Sequence, residues 1–244
     1  MDEKSMQFAN FNITFGENDA PMLKHFSDII FPAFSGDYIR GKRDSVPRYF
    51  FAGVEIKEVD NEYVMVGNFI KETQYKVVTT VQEGVLASTP ADVPTAPYSR
   101  FIVFLKNHRM VLVRNETASP DTRSFQSTVR DILNQYVRNA NRERSERDKL
   151  PIAIANIVDI PLKDSIADVL KNVNKVSWFK LRFFPLNNDL DPGPLTQHIR
   201  EDMKKVGSKT TNIVFNSPNS KDGISKMIAE SSGLAVASLQ IVDN

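Results

Sequence analysis

The side chains that could do chemistry in this sequence are few and scattered, whereas the cationic ones are clustered. Three histidines, His25, His108 and His198, fall in three different predicted elements, none with a second histidine nearby. A zinc or iron site needs convergent ligands at set spacings, and neither HExxH nor paired CxxC occurs. The chain has no cysteine, which removes thiolate ligands, thiol nucleophiles and disulfides together. His25 and His198 read as helix-surface or half-buried imidazoles. No GxxxxGK[ST] or GxGxxG is present, so the phosphate cradles of nucleotide enzymes are missing and no cofactor is expected. In NNDLDPG, Asp189 and Asp191 could hold magnesium through carboxylate oxygens. The same composition is that of a plain turn, which is the preferred reading. No serine sits in a nucleophile-elbow context.

The basic residues fall in three groups. Arg40, Lys42, Arg43 and Arg48 lie beside Tyr38, Tyr49 and Phe50. Such a loop could clamp phosphates and stack bases, and it reads equally well as a solvated loop leading into a strand. Arg138, Arg142, Arg144, Arg147 and Lys149 are interleaved with Glu143, Glu146 and Asp148 at the end of a predicted helix. A helix end of this kind could reach a nucleic-acid groove, although interspersed acids are also the mark of a solvated helix held by its own ion pairs. In FIVFLKNHRMVLVRN, two apolar runs flank Lys106, Asn107, His108 and Arg109, with Arg100 and Arg114 at the base. That is a hairpin whose tip is a turn first, and a phosphate contact if the three groups share a face. With Lys+Arg 31 against Asp+Glu 30 the chain does not coat a polyanion by bulk charge, so any basic surface must be local.

The elements that would carry these groups can be read from periodicity. FANFNITF suits a strand, and PMLKHFSDIIFPAF suits a helix that ends or bends at Pro32. YFFAGVEIKEV and EYVMVGNFIKETQYKVVTTV read as strands turned at Asp60-Asn61 and interrupted by Gly67. The segment 87–97, ASTPADVPTAP, reads as a loop or linker because each proline removes a donor and restricts its neighbour. Ser119 as N-cap with Pro120 at the first position starts a helix whose stripe is Phe125, Val129, Ile132, Leu133, Tyr136 and Val137. After Leu150 strands and helices alternate: PIAIANIVDI, PLKDSIADVLKNV, VSWFKLRFFPL, PLTQHIREDMKKVG closed by Gly207, TNIVFNS, KDGISKMIAESSG and LAVASLQIV. A mixed sheet is as well supported as a parallel one.

At 244 residues, 41% hydrophobic and 25% charged, the chain can bury a sizeable core. The expected fold class is α+β, with mixed sheets packed with helices. Two sub-domains are expected: an N-terminal α+β unit over 1–90 and a C-terminal α/β unit over 98–244 that contains the basic helix 120–148. The longest apolar runs are far shorter than the ~20 residues of a bilayer helix, and no signal segment is visible, so a cytoplasmic location without membrane partners is expected.

The succession of hairpin FIVFLKNHRMVLVRN, long helix, strand PIAIANIVDI, helix and aromatic strand VSWFKLRFFPL resembles the RexA-like phage-exclusion and abortive-infection family over roughly residues 100–190. The match lies in the pattern of elements and carries over no catalytic residue. The resemblance implies a small bacterial defence protein that binds DNA as a homo-oligomer, with a protein from the same defence operon as a further candidate partner. Together these readings point to a non-enzymatic nucleic-acid binder that prefers duplex DNA, using Arg40, Lys42, Arg43 and the 138–149 cluster, with the hairpin tip as an auxiliary contact. One alternative is a nuclease or RNA-processing enzyme using Asp189 and Asp191 with magnesium, or His108 as acid and base. The other is an oligomeric scaffold or sensor of a phage protein.

Overall fold

FANFNITF lies within strand β1 (Met6–Phe15), the element on which the rest of the molecule is assembled. The computed structural model describes residues 4–42, 45–82, 84–161, 163–187 and 193–242. Successive side chains of a strand point to opposite faces. Phe11, Ile13 and Phe15 enter the larger of two cores, while Asn10, Asn12 and Thr14 are just as deeply buried on the other face. A strand apolar on one side and amide-lined on the other has to be sandwiched between two bodies, and β1 is.

The first body is a large curled antiparallel sheet. Its remaining strands are β2 (Ala20–Pro21), β3 (Ile39–Arg40), β4 (Arg48–Val59), β5 (Glu62–Gln82), β6 (Val85–Thr95), β7 (Tyr98–Phe104), β8 (Arg109–Arg114) and β9 (Ala153–Asp159). The path runs β2-β1-β8-β7-β5-β4-β3, with β9 on the other side of β1 and β6 on β5. Helix α2 (Thr122–Ala140) bridges the two ends of the curl. Gln126 and Arg130 donate to the Ile157 and Ala155 carbonyls of β9, while Arg40 of β3 donates to Thr128 Oγ1 and Gln135 donates to the Ile39 carbonyl. Strand edges that would otherwise be open are thus occupied by helix side chains. Phe125 of α2 packs edge-on against Phe11, Phe51, Phe69 and Phe101 from four strands.

Several local expectations change. Met22–Ser35 is helical throughout but in three pitches: a 3-10 turn (Met22–His25), a π-turn (Phe26–Ile30) and helix α1 (Phe31–Ser35). Pro32 lies in the first turn of α1, where a missing N–H costs little, so it does not end the helix. The Phe31 N–H reaches back five residues to the Phe26 carbonyl just before it. Asp60 and Asn61 make the expected hairpin turn, both with positive φ. Gly67 does not interrupt β5: it is there because a Cβ would come within 2.8 Å of the Phe101 ring. The proline-rich 87–97 segment is not a linker. Most of it is β6, which pairs only with β5 among the described residues, and an edge strand tolerates residues without a donor. The N-cap of α2 is Asp121, whose carboxylate accepts from Ser124 N at 2.8 Å; Ser119 Oγ instead accepts from Glu116 N. The helix also stops at Ala140 and not at 148, passing into a 3-10 turn at Asn141–Glu143 where the apolar stripe ends.

The second body contains α3 (Lys163–Lys171), β10 (Lys175–Phe183), α4 (Gly193–Lys205), β11 (Thr211–Asn216), α5 (Lys221–Ser231) and β12 (Ala235–Val242). Its sheet has the order β11-β10-β12, and every pairing in both sheets is antiparallel among the described residues. Ile166, Leu170, Met203, Ile224 and Ile228 from the three helices cover Phe179, Leu181 and Phe183 on one face of β10. The fold is α+β, dominated by strands. The sheet continues from β5 into β7 across residues 90–98, and the cores divide elsewhere: one draws on residues 9–157, the other on residues 166–239.

Between the bodies lies an amide network. Asn12 accepts from Asn187 N at 2.8 Å and donates to the Pro185 carbonyl at 2.8 Å; Asn187 Oδ1 accepts from Met22 N at 2.8 Å, and Asn10 donates to the Gly233 carbonyl. Phe184, Leu186, Leu234 and Val158 add a small apolar seam. Among the described residues, no helix is long and apolar enough to cross a membrane.

Candidate nucleic-acid interface

The hairpin tip is not a protruding finger. His108 has a positive φ, is fully buried, and places Nδ1 3.4 Å from the Asn187 amide nitrogen, while its carbonyl accepts from Phe11 N at 2.7 Å. Arg109 turns inward as well: its guanidinium donates to Asn10 Oδ1 at 3.1 Å and to the Ser232 carbonyl at 2.8 Å, and burial lowers its pKa. The two residues lock the lobes together, so His108 has no access to a substrate as acid or base. Lys106 and Asn107 face solvent, and Lys106 is bonded to Glu62 at 2.8 Å; that hydrogen bond, and then the Glu62 charge, raise its pKa. His25 lies 3.1 Å from Asp28 against the Phe15 ring, and His198 is exposed beside Glu201. No cluster of three or more His, Asp or Glu able to hold a metal occurs among the described residues. Asp189, Asp191 and Arg43 lie outside the described residues.

The other sequence clusters divide between flanks of α2. Arg40 stacks over the Tyr49 ring at 4.0 Å and bonds Thr128 Oγ1 at 2.8 Å; Arg48 is held by two hydrogen bonds to Glu72; Lys42 is exposed. Past the helix end, Arg144 donates to the Asp148 carbonyl and Lys149 is paired with Glu146, whereas Arg142 and Arg147, and Arg138 in the last turn of α2, are exposed. Thr128 and Arg130 are two residues apart, about 200° around a helix of 3.6 residues per turn. Arg40 is therefore on the side of α2 away from Arg130. The exposed stripe Arg123, Ser127, Arg130, Asn134, Arg138 runs along that other side, and among the sequence candidates it takes in Arg138.

On this side the two lobes form a cleft. One part, of about 330 Å³, is lined by Arg130 and Asn134 of α2, Asn156 of β9, Arg182 of β10, and Lys209 and Thr210 ahead of β11. A neighbouring part of about 220 Å³ shares Phe184, Pro185 and Lys209 and adds Arg200 and Lys204. Among the described residues that line both parts the only carboxylate is Asp19, and Lys209 Nζ is 3.4 Å from it. Burial first, and then the neighbouring Arg182 guanidinium, lowers the Arg130 pKa; burial also lowers that of Arg200. Two guanidinium groups repelling one another at a cleft wall with no carboxylate among its described lining residues make a site that favours an incoming anion.

The cleft opens onto the outer face of the small sheet. Because Phe179, Leu181 and Phe183 face the helices, the alternate residues Trp178, Lys180 and Arg182 face out. Register places Asn216 and Gln240 on either side of Trp178, Val214 and Ser238 beside Lys180, and Asn212 and Val236 beside Arg182. Lys180 Nζ sits 5.4 Å from the Trp178 ring. Sequence reasoning passed over these residues, although the alternation in VSWFKLRFF was the signal that could have found them. In comparisons with known proteins, no family model, curated protein or solved structure matches the chain.

Proposed function

We propose that the chain binds nucleic acid without cleaving it, holding phosphates in the cleft between its lobes. The observation that carries this reading is the approach of Arg130 and Arg182, from α2 and β10, on a wall with no carboxylate among its described lining residues. A chain of net charge +1 has no general attraction for polyanions, so a local concentration of cations calls for a ligand. Guanidinium groups suit phosphate because their donors meet two oxygens at once. The setting proposed is bacterial phage defence, on the resemblance of residues 100–190 to RexA-like proteins. The test is fluorescence anisotropy with labelled single-stranded and duplex oligonucleotides at low salt. Saturable binding that is lost in Arg130→Glu supports the proposal, and no binding of either form overturns it.

A second reading, self-association, is favoured by the far end of β5 and β6. From Thr73↔Thr95 to Gln82↔Val85 these strands pair only with each other among the described residues, an arm about 30 Å long at ~3.3 Å per residue. It leaves Tyr75, Val78, Val81, Val85, Leu86 and Val93 exposed. A lone two-stranded ribbon is marginal in water, and its open edges match those of an identical ribbon related by a two-fold axis. The proposed occupant is a second copy of this chain. Sedimentation should show a dimer that Val81→Lys with Leu86→Lys dissociates; a monomeric wild type at all concentrations rejects this reading.

A further inference from the structure

We propose that the cleft's ligand is single-stranded and that one of its unpaired bases stacks on Trp178. This rests on the nucleic-acid reading and narrows it to a substrate class. Trp178 is on the central strand of a sheet face that bears none of the three helices, since those helices all cover the opposite face. An aromatic ring on the open side of a sheet, beside cationic residues on the same strand, is an arrangement on which bases stack irrespective of their identity. A base within a duplex already has stacking partners on both faces, so only an unpaired one can use the ring.

The surroundings of the ring fit a nucleotide. Asn216 and Gln240 flank Trp178 in register on the neighbouring strands, and each amide offers donors and an acceptor to the edge of a stacked base. Two residues along β10 is Lys180 and four along is Arg182, about 13 Å from Trp178 at ~3.3 Å per residue, where the cleft with Arg130 begins. A strand laid along β10 meets a stacking ring, then an ammonium group, then a pair of guanidinium groups. Lys180 holds its ammonium near the ring in the free protein. On binding, the base takes the ring face and the ammonium swings to the adjacent phosphate, so the lysine guards the ring against water and then contributes to the grip.

The chain's only tryptophan is Trp178, so its emission reports on this site alone. The experiment titrates wild-type protein with oligothymidylate and oligouridylate of about 12 nucleotides, within the range of known single-strand sites, and with a duplex of equal length. Emission is followed beside the anisotropy of labelled strands. The expected result is quenching by the single strands that saturates with the same Kd as the anisotropy, weaker binding of the duplex, and about a tenfold loss of single-strand affinity in Trp178→Ala, the ratio that corresponds to ~1.4 kcal/mol. The oligouridylate arm tells RNA from DNA. Binding of single strands without quenching, or a duplex bound as tightly as a single strand, overturns this inference and leaves the nucleic-acid reading intact. No binding of any strand removes both. The wild-type titration is decisive whether or not the variant folds.

Discussion

Replacing Arg182 by glutamine should change how affinity depends on salt more than it changes the fold, because the side chain lies on the outer face of β10 and takes no part in the core. Three cations, Arg130, Arg182 and Lys180, are placed to neutralise phosphates along the path described. Lys209 is left out of the count because its Nζ already meets the Glu17 carbonyl at 2.7 Å and Asp19 at 3.4 Å. Each neutralised phosphate releases counterions, so for a single strand the slope of log K against log salt is about −2.1 with three contacts and about −1.4 with two. Between about 50 and 200 mM salt the wild-type affinity should then fall about 18-fold and that of Arg182→Gln about 7-fold. Fluorescence anisotropy with a labelled single strand at four or more salt concentrations measures both slopes. Arg40→Gln is the control, since Arg40 bonds Thr128 on the opposite flank of α2, and it should leave the slope unchanged. The reasoning fails if wild-type affinity is indifferent to salt, or if Arg40→Gln flattens the slope and Arg182→Gln does not.

Three further outcomes test the architecture that holds the cleft. Asp121 caps α2, and although burial acts to push its carboxyl up, the bonds from Ser124 and the charge of Arg114 hold it below its ordinary value. Asp121→Ala should therefore cost about 1 kcal/mol at neutral pH. A carboxylate with a depressed native pKa stabilises fully above its unfolded value of about 4 and loses that contribution as pH falls through the lowered one, so the gap between wild type and variant in urea melts should narrow in acid. Asn12→Ala removes the partner of both the Asn187 N–H and the Pro185 carbonyl between the lobes and should cost about 2 kcal/mol by the same assay, as buried polar groups left unpaired do. Gly67→Ala places a methyl 2.8 Å from a Phe101 ring carbon and 3.1 Å from Val54 Cγ2, and the overpacking should lower stability by about 1–3 kcal/mol in thermal melts.

The reading places the basic residues in a division of labour that charge alone does not reveal. Arg109 and Arg40 are spent on holding the structure, one between the lobes and the other against α2, where neutral oxygens accept from both. Arg130 does both jobs, because its Nε bonds the Ala155 carbonyl of the β9 edge while the same side chain lines the cleft. A cation half-committed to a backbone oxygen is already oriented, which would reduce the side-chain freedom lost on binding the proposed phosphate.

Much of the architecture was legible along the chain. Strand-forming runs located β1, β4, β9 and β10, the three-and-four spacing of Phe125, Val129, Ile132 and Tyr136 located α2, and Asp60-Asn61 marked the hairpin between β4 and β5, since these signals depend only on neighbours a few residues apart. The proline-rich β6 was missed because its strand character comes from pairing with β5, which local propensity does not contain. The proposed binding face was missed for the same reason on a larger scale. Arg130, Arg182 and Lys209 are separated by 52 and 27 positions and form no cluster in sequence, while His108 and Arg109 of the conspicuous run at the hairpin tip are drawn into the seam between lobes. Local patterns reflect the free energy of turning one face of an element away from water; which cations end up beside one another depends on how two separate cores dock, and that is set by contacts such as Asn12 with Asn187, 175 positions apart.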